Sequence, residues 1–146
     1  TVLRDYHAEN IMLLGGLDRQ GLLDFQDALV GHPAYDLVSL LQDARREVSP
    51  ELEARMLDYY ISKSSDGEEF LADYARLGAQ RNAKIVGIFV RLWKRDGKPR
   101  YLDYIPRVWA LLERDLAHPA LAPVAAWFDA NIPAELRAAG GGAFAA

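Results

Sequence analysis

The chain has 146 residues, 51% of them hydrophobic, which is enough to form the core of one domain without disulfides or structural metal. It contains no cysteine, so a disulfide framework, a thiol nucleophile and a cysteine-bound zinc are excluded, and we expect a soluble protein of the reducing cytoplasm. A net charge of -4 at pH 7 offers no basic field for nucleic acid, and no apolar run reaches the roughly 18 residues that span a bilayer, so we expect neither nucleic-acid nor membrane partners.

The first 36 residues are rich in glycine, aspartate and short apolar runs. Runs at residues 11–14 and 22–25 are separated by a glycine-rich connection at residues 15–21, a pattern typical of a β-hairpin. The pattern therefore predicts two short strands joined by a turn.

From Tyr35 to about Pro133, the apolar residues recur at the spacing of an α-helix. Leu37, Leu40, Leu41 and Ala44 recur at the spacing of one helix face and predict a helix that ends near Val48. Later breaks predict four more helices, at residues 50–62, 70–93, 101–117 and 119–130, of which the second is one long helix or two nearly collinear ones.

Residues that typically start helices support this division into separate helices. Ser49 is a capping residue followed by Pro50, which is favoured at the first helical position. Residues 134–146 are rich in alanine and glycine, and we expect a flexible tail there. The sequence thus predicts an α+β fold that is mainly α, with a hairpin followed by about five helices.

One polar segment carries the chemistry. Arg4 and Asp5 are followed by Asn10, five residues after Asp5, and Asp24 comes at the end of the second apolar run. Phosphotransferases of the protein-kinase type use an Asp that accepts a hydroxyl proton, an Asn five residues later that binds magnesium, and a second Asp on the next strand. The spacing lets Asp5 face an acceptor hydroxyl while the hairpin returns Asp24 alongside Asn10, where a carboxylate and an amide oxygen suit a hard cation.

The same residues have a simpler explanation. An Asp and an Asn five apart occur by chance in roughly one chain in a few of this size, and polar loop residues usually form turns. The addition of Arg4, of both apolar runs and of the short hairpin favours the kinase interpretation.

Two further stretches make the pattern specific, residues 23–28 with 31–37 and residues 84–92 with the turn at 95–98. The first resembles the aminoglycoside phosphotransferase family, in which the metal-binding Asp is followed by a Gly/Pro turn and a buried Asp that opens a helix. The second is similar to a subgroup of that family that phosphorylates the anomeric hydroxyl of N-acetylmuramate and N-acetylglucosamine. The resemblance covers residues 1 to about 133.

The resemblance implies a C-terminal lobe of a protein-kinase-like fold at residues 1–133, with a catalytic loop at 3–10, a metal-binding hairpin at 10–26 and a helical region at 35–131. It implies Asp5 as the catalytic base, and Asn10 and Asp24 as the ligands of Mg²⁺ and so of the ATP phosphates. It also implies Asp36 as a structural acid that caps its helix and braces the catalytic loop. A plain N-cap role is the alternative for Asp36. Leu3 occupies the position where the family usually has a histidine.

The resemblance also implies that the nucleotide-binding N-terminal lobe of the same enzyme is missing from this chain, so we expect the chain alone to be inactive. The expected substrate is a small hydroxylated molecule such as an amino sugar. A kinase for an aminoglycoside, choline or homoserine is the alternative within the family, and a non-catalytic helical module is the alternative from another class.

Overall fold

A computed structural model describes residues 1–16, 18–64, 67 and 69–138. The chain divides into two compact units, Thr1–Phe70 and Leu71–Ala146. The predicted α+β, mainly α composition is confirmed. In chain order the elements are β1 (Ile11–Gly16), β2 (Arg19–Leu22), α1 (Ala34–Leu41), α2 (Pro50–Lys63), α3 (Glu69–Asp96), α4 (Ile105–Leu116), α5 (Ala122–Asn131) and α6 (Ala134–Ala138), with 3₁₀ turns at Ala8–Asn10, Pro99–Tyr104 and Pro119–Leu121.

The predicted hairpin forms, but its strands have different boundaries from those predicted. β1 and β2 are antiparallel, with Ile11 opposite Leu22 and Gly16 opposite Arg19. Most of the segment predicted as a turn, residues 15–21, is therefore paired strand, and the second strand ends where it was predicted to begin. Gly15 has φ +87°, a conformation that glycine adopts without a steric penalty, and it lies within β1 where the pairing register shifts between Leu13 and Gly16.

The first two helices pack through a buried polar contact. α1 ends at Leu41 and not near Val48, because Gln42 leaves the helical conformation at φ -115° and ψ 47°. Its side-chain amide then donates a hydrogen bond to Glu53 Oε1 of α2 at 3.1 Å, and both side chains are buried. The predicted cap of α2 is confirmed, since Ser49 Oγ accepts the Leu52 N–H at 3.2 Å.

The second unit has its own apolar core between α3, α4 and α5. The long helix α3 is continuous over 28 residues and ends before Gly97, which has φ +62°. The helices predicted from residues 101 and 119 start as 3₁₀ turns and become α-helical at Ile105 and Ala122. The core side chains are Ala75, Ala79, Trp109, Leu112, Leu116 and Leu121.

The first five residues of the segment expected to be a flexible tail form α6. Arg137 of α6 contacts Glu113 of α4 at 2.8 Å and also pairs with Asp129 of α5. These ion pairs connect α6 to α4 and α5. The composition of the segment does not reveal them. The rest of the expected tail, from residue 139, lies outside the described residues. Across the described ranges, no helix is both long enough and apolar enough to cross a membrane.

Candidate active site

The segment around Asp5 is held by a carboxylate from α1. The Leu3 N–H donates to Asp36 Oδ2 at 2.7 Å and the Arg4 N–H donates to Asp36 Oδ1 at 3.0 Å. Arg4 has φ +72°, a left-handed conformation that costs a non-glycine residue about 1–2 kcal/mol. Two hydrogen bonds to a carboxylate offset this strain and fix the backbone immediately before Asp5.

Asp36 therefore braces the loop, as the resemblance implied. It lies in the first turn of α1, where the helix dipole favours a negative charge, whereas the N-cap position belongs to Pro33. The N-cap alternative for Asp36 is wrong. Because the brace uses the backbone N–H of residue 3, it needs no polar side chain there, and Leu3 is compatible with a fixed loop.

A second connection joins the start of the loop to the segment after Asp24. The Val2 N–H donates to the Leu29 carbonyl at 2.8 Å, and the Leu29 N–H donates back to the Val2 carbonyl at 2.9 Å. Val2 is buried. This pair of bonds ties the chain entering the loop to the chain leaving the hairpin.

Asn10 closes the loop and points its amide in a defined direction. Its Nδ2 donates to the Asp5 carbonyl oxygen at 2.9 Å. A carbonyl oxygen only accepts hydrogen bonds, so this contact fixes the nitrogen on the Asp5 side and leaves Asn10 Oδ1 as a free ligand oxygen. Since Asn10 N–H also donates to the His7 carbonyl at 2.9 Å, Asp5 and Asn10 are held in one tight turn.

Asp24 is connected to this turn through its neighbour Leu23. The Leu23 N–H donates to the Asn10 carbonyl at 2.9 Å, so the hairpin brings Asp24 within one residue of the position paired with Asn10. Asp24 has φ +56°, and its Oδ1 accepts a hydrogen bond from Gln26 Nε2. The sequence did not single out Gln26. Its signal is its place two residues after an aspartate, a separation across which local side-chain bonds form.

The donor set at Asn10 and Asp24 fits magnesium. An amide oxygen and a carboxylate are hard ligands, and Mg²⁺ usually takes one or two protein ligands with water and phosphate oxygens in its other positions. Within residues 1–16, 18–64, 67 and 69–138, no three His, Asp or Glu side chains are grouped as metal ligands. A cation at this hairpin therefore depends on the Asn10 amide as well as on Asp24.

His7 is the buried member of the loop. It is 5% exposed, and its Nε2 lies 3.4 Å from Asp5 Oδ1, while the side chain of Asp5 is 55% exposed. A buried imidazole thus lies beside a carboxylate that is accessible to solvent.

Comparison with known proteins finds a family model and several relatives that this chain is similar to. Residues 1–79 match the phosphotransferase enzyme family. The chain is 55% identical to the N-acetylmuramate/N-acetylglucosamine kinase of Caulobacter vibrioides over 139 residues, which are 92% of this chain and 38% of that protein. It is 41% identical over 132 residues to the kinase of the same name from Neisseria meningitidis, covering 84% of this chain and 39% of that protein.

A third relative, the N-acetylmuramate/N-acetylglucosamine kinase of Pseudomonas aeruginosa, is 40% identical over 130 residues, 83% of this chain and 38% of that protein. The chain thus spans less than two fifths of the length of these curated relatives. The match over more than half of the chain places it in a defined class, that of the phosphotransferase enzymes. This chain belongs to the phosphotransferase enzyme family.

Proposed function

We propose that the chain is the catalytic C-terminal part of a cytoplasmic kinase that transfers the γ-phosphoryl group of ATP to the anomeric hydroxyl of N-acetylmuramate or N-acetylglucosamine. The observation that carries the proposal is the Asn10 Nδ2 contact with the Asp5 carbonyl at 2.9 Å. It leaves the Asp5 carboxylate for an acceptor and the Asn10 Oδ1 for a cation, which is the division of roles that phosphoryl transfer requires.

Asp5 is the proposed base. Its side chain is exposed, while Asn10 bonds to its carbonyl and the preceding Leu3 and Arg4 N–H groups bond to Asp36. The carboxylate is therefore accessible but confined to a small region. In the proposed reaction the anomeric oxygen attacks the γ-phosphorus of ATP, the bond from phosphorus to the bridging oxygen breaks, and the hydroxyl proton moves to Asp5. An anomeric hydroxyl is more acidic than other sugar hydroxyls, so a carboxylate can accept its proton late in the reaction.

Asn10 and Asp24 would hold Mg²⁺, which when bound would neutralise charge on the ATP phosphates. The Gln26 contact restrains one oxygen of Asp24. The chain's own contribution is therefore to orient two ligand oxygens from adjacent positions of the loop and the hairpin.

The acceptor assignment rests on the relatives, each of which is named as a kinase of both amino sugars. The N-acetyl group is the proposed specificity handle, since a site that hydrogen-bonds an amide leaves polar groups unpaired when an analogue lacks it. The remaining parts of the nucleotide site would come from a separate N-terminal lobe, and the length of the relatives, of which this chain covers 38% and 39%, leaves room for one.

The test uses a chimera in which this chain replaces the matching segment of the Caulobacter vibrioides kinase; we call it the chimera below. The acceptors are N-acetylmuramate, N-acetylglucosamine, glucose, kanamycin and choline, compared by kcat/KM, with phosphorus NMR to locate the product phosphate. The host protein without its matching segment is the control, and it should show no turnover.

We expect an anomeric phosphate on both N-acetyl sugars and weak activity on glucose. A preference for kanamycin or choline by about tenfold, or ~1.4 kcal/mol, would overturn the sugar assignment and leave the kinase assignment in place. A folded chimera without turnover on any acceptor would favour the non-catalytic module.

A further inference from the structure

We propose that His7 is a positioning residue that holds the Asp5 carboxylate in the orientation needed for proton transfer. The inference deepens the proposed function and rests on it. Its basis is the contact between His7 Nε2 and Asp5 Oδ1 at 3.4 Å, combined with the burial of the imidazole beside an exposed carboxylate.

The ring of His7 is the fixed partner of the pair. Its backbone N–H donates to the Asp5 carbonyl at 3.2 Å, and its own carbonyl accepts the Asn10 N–H at 2.9 Å. The backbone of His7 is therefore bonded to both Asp5 and Asn10, and its buried side chain has little freedom to rotate. The Asp5 side chain is the movable partner, because more than half of it is exposed.

The environment of His7 Nδ1 determines which ring nitrogen of His7 carries the proton. Within the described residues, Nδ1 is buried and has no hydrogen-bond partner. A buried N–H without an acceptor costs about 1–3 kcal/mol, so the imidazole proton belongs on Nε2, the atom that faces Asp5. His7 then carries its N–H on the nitrogen that lies 3.4 Å from Asp5 Oδ1.

This arrangement assigns different tasks to the two oxygens of Asp5. Oδ1 faces the donor on His7, and Oδ2 remains to accept the proton of the acceptor hydroxyl. The 3.4 Å separation is longer than a standard N–H···O bond, and contacts of this kind shorten when substrate binds in an active site. Without His7 the exposed carboxylate would sample several rotamers, and only some of them would point toward the acceptor.

The first test compares His7→Leu with His7→Gln in the chimera. His7→Leu removes the donor, and we expect kcat to fall about 10- to 100-fold while the KM values for ATP and sugar change by less than about twofold. His7→Gln places an amide N–H close to the position of Nε2 and should restore most of kcat. His118→Leu is the matched control, because His118 caps a 3₁₀ turn in the second unit through its Nδ1; it should lower stability without changing kcat.

A second measurement separates positioning from a purely structural role. If His7 acts through Asp5, His7→Leu should change kcat by less than about twofold in an Asp5→Asn background. Equal losses in kcat for His7→Leu and His7→Gln, or an unchanged kcat in both, would overturn the inference, as would a full additional loss in the Asp5→Asn background. Where His7→Leu does not fold, the cycle is run with His7→Asn, whose shorter amide cannot reach Oδ1, and the same outcomes apply. Failure of the parent chimera to phosphorylate any acceptor would instead count against the proposed function.

Discussion

Gly78 of α3 and Gly87 of the same helix should respond in opposite directions to substitution by alanine. A Cβ on Gly78 would lie 2.6 Å from Asp115 Oδ2 and 2.8 Å from Asp115 Cγ, whereas a Cβ on Gly87 would meet no atom within 4 Å. Asp115 is 5% exposed and accepts a hydrogen bond from Asn82 Nδ2 at 2.9 Å. Its carboxylate cannot retreat from a new methyl group without disturbing that buried bond.

The magnitude follows from three contributions. Overpacking a core costs about 1–3 kcal/mol, and disturbing a buried hydrogen bond to a charged group costs about 1.5–3 kcal/mol. The gain in helix propensity from glycine to alanine returns about 1 kcal/mol. Gly78→Ala should therefore lower the free energy of unfolding by about 1.5–5 kcal/mol and Tm by roughly 3–20 °C.

Gly87→Ala retains only the propensity gain and should raise Tm by about 1–4 °C. Thermal unfolding of both variants, followed by circular dichroism, measures the difference. A Gly78→Ala protein as stable as Gly87→Ala would refute the close approach of Asp115 to α3, and with it the tight packing of α3 against α4.

Two further predictions concern Asp36 and Arg137. Asp36→Asn leaves one amide oxygen for the two N–H groups of Leu3 and Arg4, so hydrogen exchange at one of these amides should become about tenfold faster or more; unchanged exchange at both would contradict the brace. The hydrogen bond from Arg137 lowers the pKa of Glu113 from its usual 4.5, against an opposing effect of burial. A lowered folded-state pKa contributes stability that is present above the unfolded pKa and is lost as pH falls through the folded one. The difference in Tm between the parent and Arg137→Ala should therefore shrink below about pH 4.5; a difference independent of pH would argue against the pair.

Much of the helical region could be predicted from sequence because its signals are local. The Ser49 cap and the start of α2 depend on neighbouring residues alone, and both were predicted correctly. The end of α1 depends on Gln42 bonding to Glu53, eleven residues away in the next helix. The apolar spacing that continues through Ala44 does not reveal such a contact, so the predicted helix extended too far.

The hairpin shows the same limit. The apolar run at residues 22–25 has the composition of a strand, but Asp24 adopts φ +56° and only Leu22 belongs to β2. In the pairing with β1, Gly16 lies opposite Arg19, and composition does not determine that register. Leu23, the residue before Asp24, donates its N–H to the Asn10 carbonyl at 2.9 Å, although Leu23 itself lies outside β2.

In the candidate site, too, local features could be predicted from the sequence and long-range contacts could not. Asp5, Asn10 and Asp24 were found from their spacing, and their roles stay predictions. The bonds from Asp36 to the backbone of Leu3 and Arg4 cross more than 30 residues of chain, and only the resemblance anticipated them. The pairing of His7 with Asp5 has only a weak sequence signal, namely the position of a histidine two residues after an aspartate.

Turnover of the chimera with Asp5 replaced by asparagine tests the central claim most directly. Asparagine keeps the size of the side chain and the backbone bonds at position 5 but cannot accept the proton of the acceptor hydroxyl. A positioned general base contributes about 10²- to 10⁴-fold in rate, so kcat with N-acetylmuramate should fall by that factor while the KM for ATP stays within about twofold. If Asp5→Asn retained the turnover of the parent chimera, Asp5 would not be the base, and the proposed mechanism would be contradicted.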